Sequence, residues 1–201
     1  MHDTKKIGRP RGFDVDEALW AAVKVFWTKG YDGASMKDLT EAMGINSPSL
    51  YATFGDKQAL YLQAIDRYVS NDACAPLVAF EEEPDIVLAV RAFMEASIDY
   101  ATGHESGARG CFLSSCVSTT AGEVEGVSGL LRQAIGETDA RLASRFEAEK
   151  ASNVLPGDFP SMERARLMFD LRQGHVFRAR AGLPPETMTT DLDHRVRMVL
   201  A

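Results

Sequence analysis

Two short amphipathic segments, residues 35–43 and 47–54, are joined by Gly44-Ile45-Asn46, and this pattern restricts the fold more than any other in the chain. Ser35 is a good N-cap for the first segment, and Gly44 stops it. Ser47 opens the second, Pro48 takes the favoured first helical position, and Gly55 ends it. Met36, Leu39 and Ile45 are apolar where two helices must pack, and Leu50 and Phe54 share one face of the second segment. Gly44 can adopt the left-handed conformation that a tight turn between helices needs. The spacing predicts a helix-turn-helix.

The flanking sequence is helical as well. Asp14 can cap a first helix, with Glu17 three residues on as its capping-box partner. Ala18, Leu19, Ala22, Val25 and Phe26 follow at helical spacing, and Gly30 ends the run. A fourth helix starts at the Asp56 cap, carries Leu60, Leu62, Ile65 and Tyr68, and reaches at least Val69. Pro76 and the stretch from Glu81 to Pro84 then interrupt the pattern. Helices are predicted over 86–100, from near Cys111, over about 123–150, over 162–181 and over 186–200. β-branched alternation is never sustained, so the chain reads as all-α. A three-helix helix-turn-helix domain, residues 9–69, precedes a larger helical domain, residues 70–201.

The net charge of −7 argues against a nucleic-acid partner only until its distribution is read. Residues 1–67 hold nine Lys/Arg and nine Asp/Glu, so the whole excess lies in the remainder, which holds 13 and 20. Lys5, Lys6, Arg9 and Arg11 make a cationic arm in front of a neutral small domain. Local positive charge suffices for phosphate contact, and the acidic part would face away from DNA. No apolar run approaches the ~18–20 residues that span a bilayer, and no apolar stretch follows the N-terminus, so a cytoplasmic location is expected. Three cysteines, Cys74, Cys111 and Cys116, do not suggest a disulfide framework.

Opposite Leu50 and Phe54, the second segment presents Ser47, Ser49, Ala52 and Thr53, with Tyr51 beside them. These small or hydrogen-bonding groups suit a major groove about 12 Å wide. Ala52 and Thr53 suit a thymine methyl, and the Tyr51 hydroxyl suits a phosphate. The helix starts near Ser35 and Asp56 offer backbone N–H groups to phosphates, and Lys57 adds a cation. Spacing alone leaves two readings open: an ordinary pair of short helices, or a DNA-reading element.

Residues 9–69 resemble the DNA-binding domain of the TetR family. The matching residues are Phe26, Gly30-Tyr31, Ser35-Met36, Leu39, Met43-Gly44-Ile45, Ser49-Leu50-Tyr51, Phe54, Lys57 and Leu60, led by the arm Gly8-Arg9-Pro10-Arg11. The match runs over about sixty residues without a gap. Thr40 stands where many members have alanine, and Pro48 and Gly55-Asp56 look like a subgroup variant that bears on base preference. The resemblance implies a repressor that binds palindromic double-stranded operator DNA as a homodimer and leaves it when a small-molecule effector binds. It places Ser47, Pro48, Ser49, Ala52 and Thr53 near bases or backbone, Tyr51 and Lys57 near phosphate, and Arg9 and Arg11 on a groove or phosphate. Ser35 and Met36 complete the expected DNA-binding set.

Sequence similarity to the family fades after residue 70. The resemblance implies that the last two helices form the dimer interface, with Leu167, Phe169, Leu171, Val176 and Phe177 available as apolar surface. Effector-pocket candidates are Phe93, Tyr100, Phe112, Phe169, Arg172 and His175, each of which core packing also explains. Cys111, after Gly110 and near Arg109, is a candidate redox thiol or a small buried hydrophobe. No histidine has metal-type spacing with the cysteines, no metal or cofactor is expected, and no serine-hydrolase elbow, phosphate loop or zinc-protease motif points to an enzyme.

Overall fold

Side-chain caps start the four N-terminal helices of the computed structural model, which describes residues 13–70, 74–103 and 109–201. Asp14 accepts from the N–H groups of Asp16 and Glu17 at the start of α1 (Val15–Gly33), which breaks at Gly30. Ser35 caps α2 (Met36–Met43), and Asp38 completes a capping box there. Gly44 follows at φ 65°, the left-handed conformation expected of the turn. The cap of α3 (Ser47–Phe54) is Asn46 rather than Ser47: its Oδ1 accepts the Ser49 N–H at 2.8 Å, so Ser47 lies inside the first turn. Asp56 caps α4 (Lys57–Val69) through the Ala59 N–H, also at 2.8 Å.

The later helices differ more from expectation. Pro76 does not interrupt helix α5 (Ala75–Glu82) because it falls in the first turn, where its missing N–H costs nothing. After α6 (Ile86–Gly103), the segment near Cys111 is one turn, α7 (Phe112–Ser115), followed by a 3-10 turn at Val117–Thr120. Turns delay α8 (Val127–Ala151), and α9 (Ser161–Arg180) follows. The single last helix expected over 186–200 is two, α10 (Pro185–Thr189) and α11 (Leu192–Leu200). No strand forms among the described residues, and no helix among them is long and apolar enough to cross a membrane.

Two apolar cores result. One joins α5, α6, α8, α9, α10 and α11 through residues such as Phe80, Phe93, Phe146, Met168 and Val199. The other joins α1 to α4 through Phe26, Leu39, Leu50, Leu60 and Ile65. That second core also takes Phe112, Cys116, Val117 and Val127 from far along the chain. The Phe112 ring lies 5.3 Å from Tyr68, 6.1 Å from Trp27 and 6.3 Å from Tyr61, centroid to centroid. Tyr61 hydrogen-bonds Thr120 across this contact at 3.1 Å, and the Cys116 thiol donates to the Phe26 carbonyl at 3.2 Å. At the surface, Arg67 of α4 makes a two-nitrogen ion pair with Asp16 and stacks over Trp20.

His175 on α9 is fully buried, and its Nε2 accepts from Arg195 of α11 at 2.7 Å. Burial and the neighbouring guanidinium hold its pKa to about 4 against the ordinary 6.5, with Asp191 opposing and Arg178 adding to the effect. Between these values the unfolded chain binds a proton that the folded chain refuses, so stability is lost as pH falls through the window. We expect a loss of at most ~3 kcal/mol from pH 7 to pH 4 from this residue. Urea midpoints across that range would measure it, and the profile should flatten in His175→Gln.

Candidate nucleic-acid interface

The burial pattern of α3 separates its two faces. Leu50 and Phe54 are buried in the N-terminal core. Asn46, Ser47, Pro48, Tyr51 and Ala52 are exposed, and Ser49 and Thr53 are half-buried beside them. Tyr51 is 53% exposed, a large ring held out from a helix whose inner face is already packed. No residue of α3 carries a charge, so nothing on this face repels a phosphate backbone.

The structure brings together Ser47, Pro48, Ser49, Tyr51, Ala52 and Thr53 as one surface. The other DNA-binding candidates are placed differently. The Ser35 N–H, expected to be free for a phosphate, donates to Asp38 at 3.0 Å, and Lys29 pairs with the same carboxylate at 2.6 Å. These contacts draw the Asp38 carboxyl well below its usual range, Lys29 first and Ser35 next. Met36 is half-buried in the first turn of α2 and packs against the core. Lys57 lies 4.7 Å over the Tyr31 ring and 3.4 Å from the Asp32 carbonyl, which anchors its stem at the start of α4. Arg9 and Arg11 lie outside the described residues. Asn46, expected only in the turn, joins the surface as the exposed cap before α3.

A second site lies in the C-terminal part. A cavity of about 500 Å³ is lined by Tyr68, Leu77, Phe93, Tyr100, Cys111, Leu113 and Arg172, among others. Phe93, Tyr100 and Arg172 were candidates for a pocket, and the structure brings them together with Cys111. Phe169 instead lines an adjoining space of about 320 Å³ that shares Leu113 and Arg172. Phe112 packs into the N-terminal core and His175 is sealed against Arg195; neither lines these two spaces. Tyr68 was read only as part of an apolar helix face, and its polar end was missed. Gly110, at φ 95°, leads into this wall; a Cβ there would meet the Ser115 hydroxyl at 2.5 Å and Arg180 Cγ at 2.9 Å. On α9, Phe177 is 75% exposed, whereas Val176, expected to add to the same apolar surface, is buried in the core.

A family model described as bacterial regulatory proteins, tetR family, matches residues 18–64. A solved structure of the TetR family transcriptional regulator CifR, a cysteine mutant complexed with 26-bp double-strand operator DNA, shares 31% identity, covers 94% of this chain and 98% of that chain, and superposes with a TM-score of 0.82. The chain belongs to the TetR family. Two HTH-type transcriptional repressors of Escherichia coli (strain K12) are similar along their length. ComR is 29% identical over 92% of this chain and 88% of its own, and BdcR is 29% identical over 92% and 94%. The helix-turn-helix of this TetR-family regulator is therefore α2 and α3, within the segment that the family model covers.

The cap assignment has a direct consequence for this element. Asn46→Ala should destabilise the protein by about 1 kcal/mol, because it strips the Ser49 N–H of its partner. Ser47→Ala should change stability by less than about 0.5 kcal/mol. Thermal unfolding of the two variants side by side checks the assignment.

Proposed function

We propose that this regulator is a repressor that holds a palindromic operator as a homodimer and releases it when a small molecule enters the cavity beside Cys111. The observation that carries the DNA half is the α3 surface. It is exposed, uncharged and small except for Tyr51, and it is backed by a buried face that fixes its orientation. On this reading Ser47, Pro48, Ser49, Ala52 and Thr53 meet base edges or nearby sugar-phosphate. Tyr51 and Lys57 meet phosphate, and the Arg9 and Arg11 arm adds charge. The similarity to ComR and BdcR, both repressors by name, favours repression as the sign of regulation. The exposed Phe177 on α9 supports a homodimer packed through the last helices, whose two-fold axis would match a palindromic site. Operator binding locates this work in a bacterial cytoplasm.

The sensing half follows from where the cavity sits. Tyr68, at the end of α4, and Cys111, one residue before Phe112, both line it. A ligand that favours one placement of these residues shifts α1 to α4 through the shared core, and with them the spacing of two recognition helices in a dimer. Only a difference in affinity between the two arrangements is required. Catalysis has no part in this reading.

The test is a mobility-shift titration with intergenic DNA flanking the gene, at 50 and 200 mM salt. Binding should be specific and fall steeply with salt. Lys57→Ala should weaken binding to every sequence alike and lower the salt slope by about 1, while Ser49→Ala or Thr53→Val should change base preference. Absence of a shift on any flanking fragment at low salt would count against operator binding.

A further inference from the structure

The cavity wall has a chemistry of its own. Cys111 Sγ lies 3.4 Å from the Tyr68 hydroxyl and 3.8 Å from Arg172 Nη2. The Tyr68 hydroxyl is also 2.8 Å from that of Tyr100. Arg172 comes from α9, is half-buried where it lines the cavity, and makes no ion pair with a carboxylate among the described residues. Among the described residues, its guanidinium meets the Cys111 sulfur. A half-buried guanidinium without a carboxylate partner favours negative charge on the group beside it.

The thiol supplies that charge when it ionises. Burial pushes the Cys111 thiol up, but Arg172, the Tyr68 hydroxyl and the N–H groups of Ser114 and Leu113 together outweigh it, and the net displacement is downward. Cys116 makes the contrast: burial raises it, and it bonds Tyr61 and the Phe26 carbonyl inside the other core. Cys111 faces the cavity, which reaches solvent past the exposed Asp66, Gln133 and Glu137.

We propose that Cys111 is a covalent modification site for small, uncharged α,β-unsaturated carbonyl compounds, with Arg172 and the Tyr68–Tyr100 pair as its positioning residues. A soft, polarisable thiolate attacks such a carbon readily. An anionic ligand would compete with the thiolate for Arg172, and a cationic one would be repelled by it. The space of about 500 Å³, walled by Leu77, Phe93 and Leu113, is far larger than a peroxide needs. In the addition, the sulfur lone pair forms the S–C bond at the β-carbon, the C=C π pair shifts into the bond between the α-carbon and the carbonyl carbon, and the C=O π pair moves onto the oxygen. The tyrosine hydroxyls donate to that oxygen, and a proton from water then completes the α-carbon. The thiol proton has already left to solvent, so the net change is addition of S–H across the double bond, with no oxidant. The proposal rests on the effector reading only for its consequence, release of DNA; the modification itself stands apart from it.

The experiment treats the full-length protein with methyl vinyl ketone and follows the tryptic peptide 110–132, which holds both Cys111 and Cys116, by fragmentation mass spectrometry. Cys111 should label about tenfold faster than Cys116 at pH 7, and its rate should level off at a pH below that of an ordinary thiol. In Arg172→Gln that inflection should move upward, with Arg172→Lys restoring part of it. Tyr100→Phe should slow methyl vinyl ketone more than iodoacetamide, whose displacement builds no enolate. Labelling of Cys111 no faster than Cys116, or a wild-type pH profile like that of a free thiol, would overturn the proposal and leave a non-covalent effector standing. If Cys111 labels as expected but DNA binding is unchanged, and Cys111→Ser behaves like wild type under the reagent, the site stands and the release reading falls.

Discussion

Phe112 is the residue on which the two halves of the chain depend. Its ring is buried among Trp27, Tyr61 and Tyr68, which belong to α1 and α4, although its own segment lies more than forty residues beyond α4. Loss of a buried phenylalanine ring costs about 3–5 kcal/mol. A displacement of α7 therefore cannot be absorbed locally. It either costs a sizeable part of a domain's stability or carries α1 and α4 with it. Tyr61–Thr120 and Cys116–Phe26 add directional bonds across the same seam, which makes sliding there costly as well.

α3 is held by the opposite strategy. It is only eight residues long and has little intrinsic stability. What holds it is the Asn46 cap at one end, the buried pair Leu50 and Phe54 along one side, and the Gly44 turn before it. None of these restraints uses the outer face. Ser47, Ala52 and Thr53 can thus vary at little cost to folding, while the inner positions cannot.

The helix-turn-helix was legible because every local signal agreed: caps, glycine turn and apolar spacing all marked the same two helices. The cap was placed one residue late, at Ser47, because its neighbour Asn46 carries the same capping chemistry; the hydrogen bond to Ser49 shows that Asn46 is the cap. Pro76 was misjudged because proline breaks a helix interior but is tolerated in the first turn, where it falls here. The cavity was half legible. Phe93, Tyr100 and Arg172 share a wall, but Phe112 and His175 carry the same kind of sequence signal and face elsewhere. Helical periodicity reports that a residue is inward-facing; it does not report which of two cores it faces.

The backbone at Gly110 passes between Ser115 and Arg180 with less clearance than a single methyl group requires. The residue that follows it is the thiol, and the next is the ring that anchors the N-terminal core. The position of both is thereby fixed by an atom that is absent. Any heavier residue at 110 would shift the ring and the sulfur together, and so would disturb the cavity wall and the packing of α1 and α4 in one step.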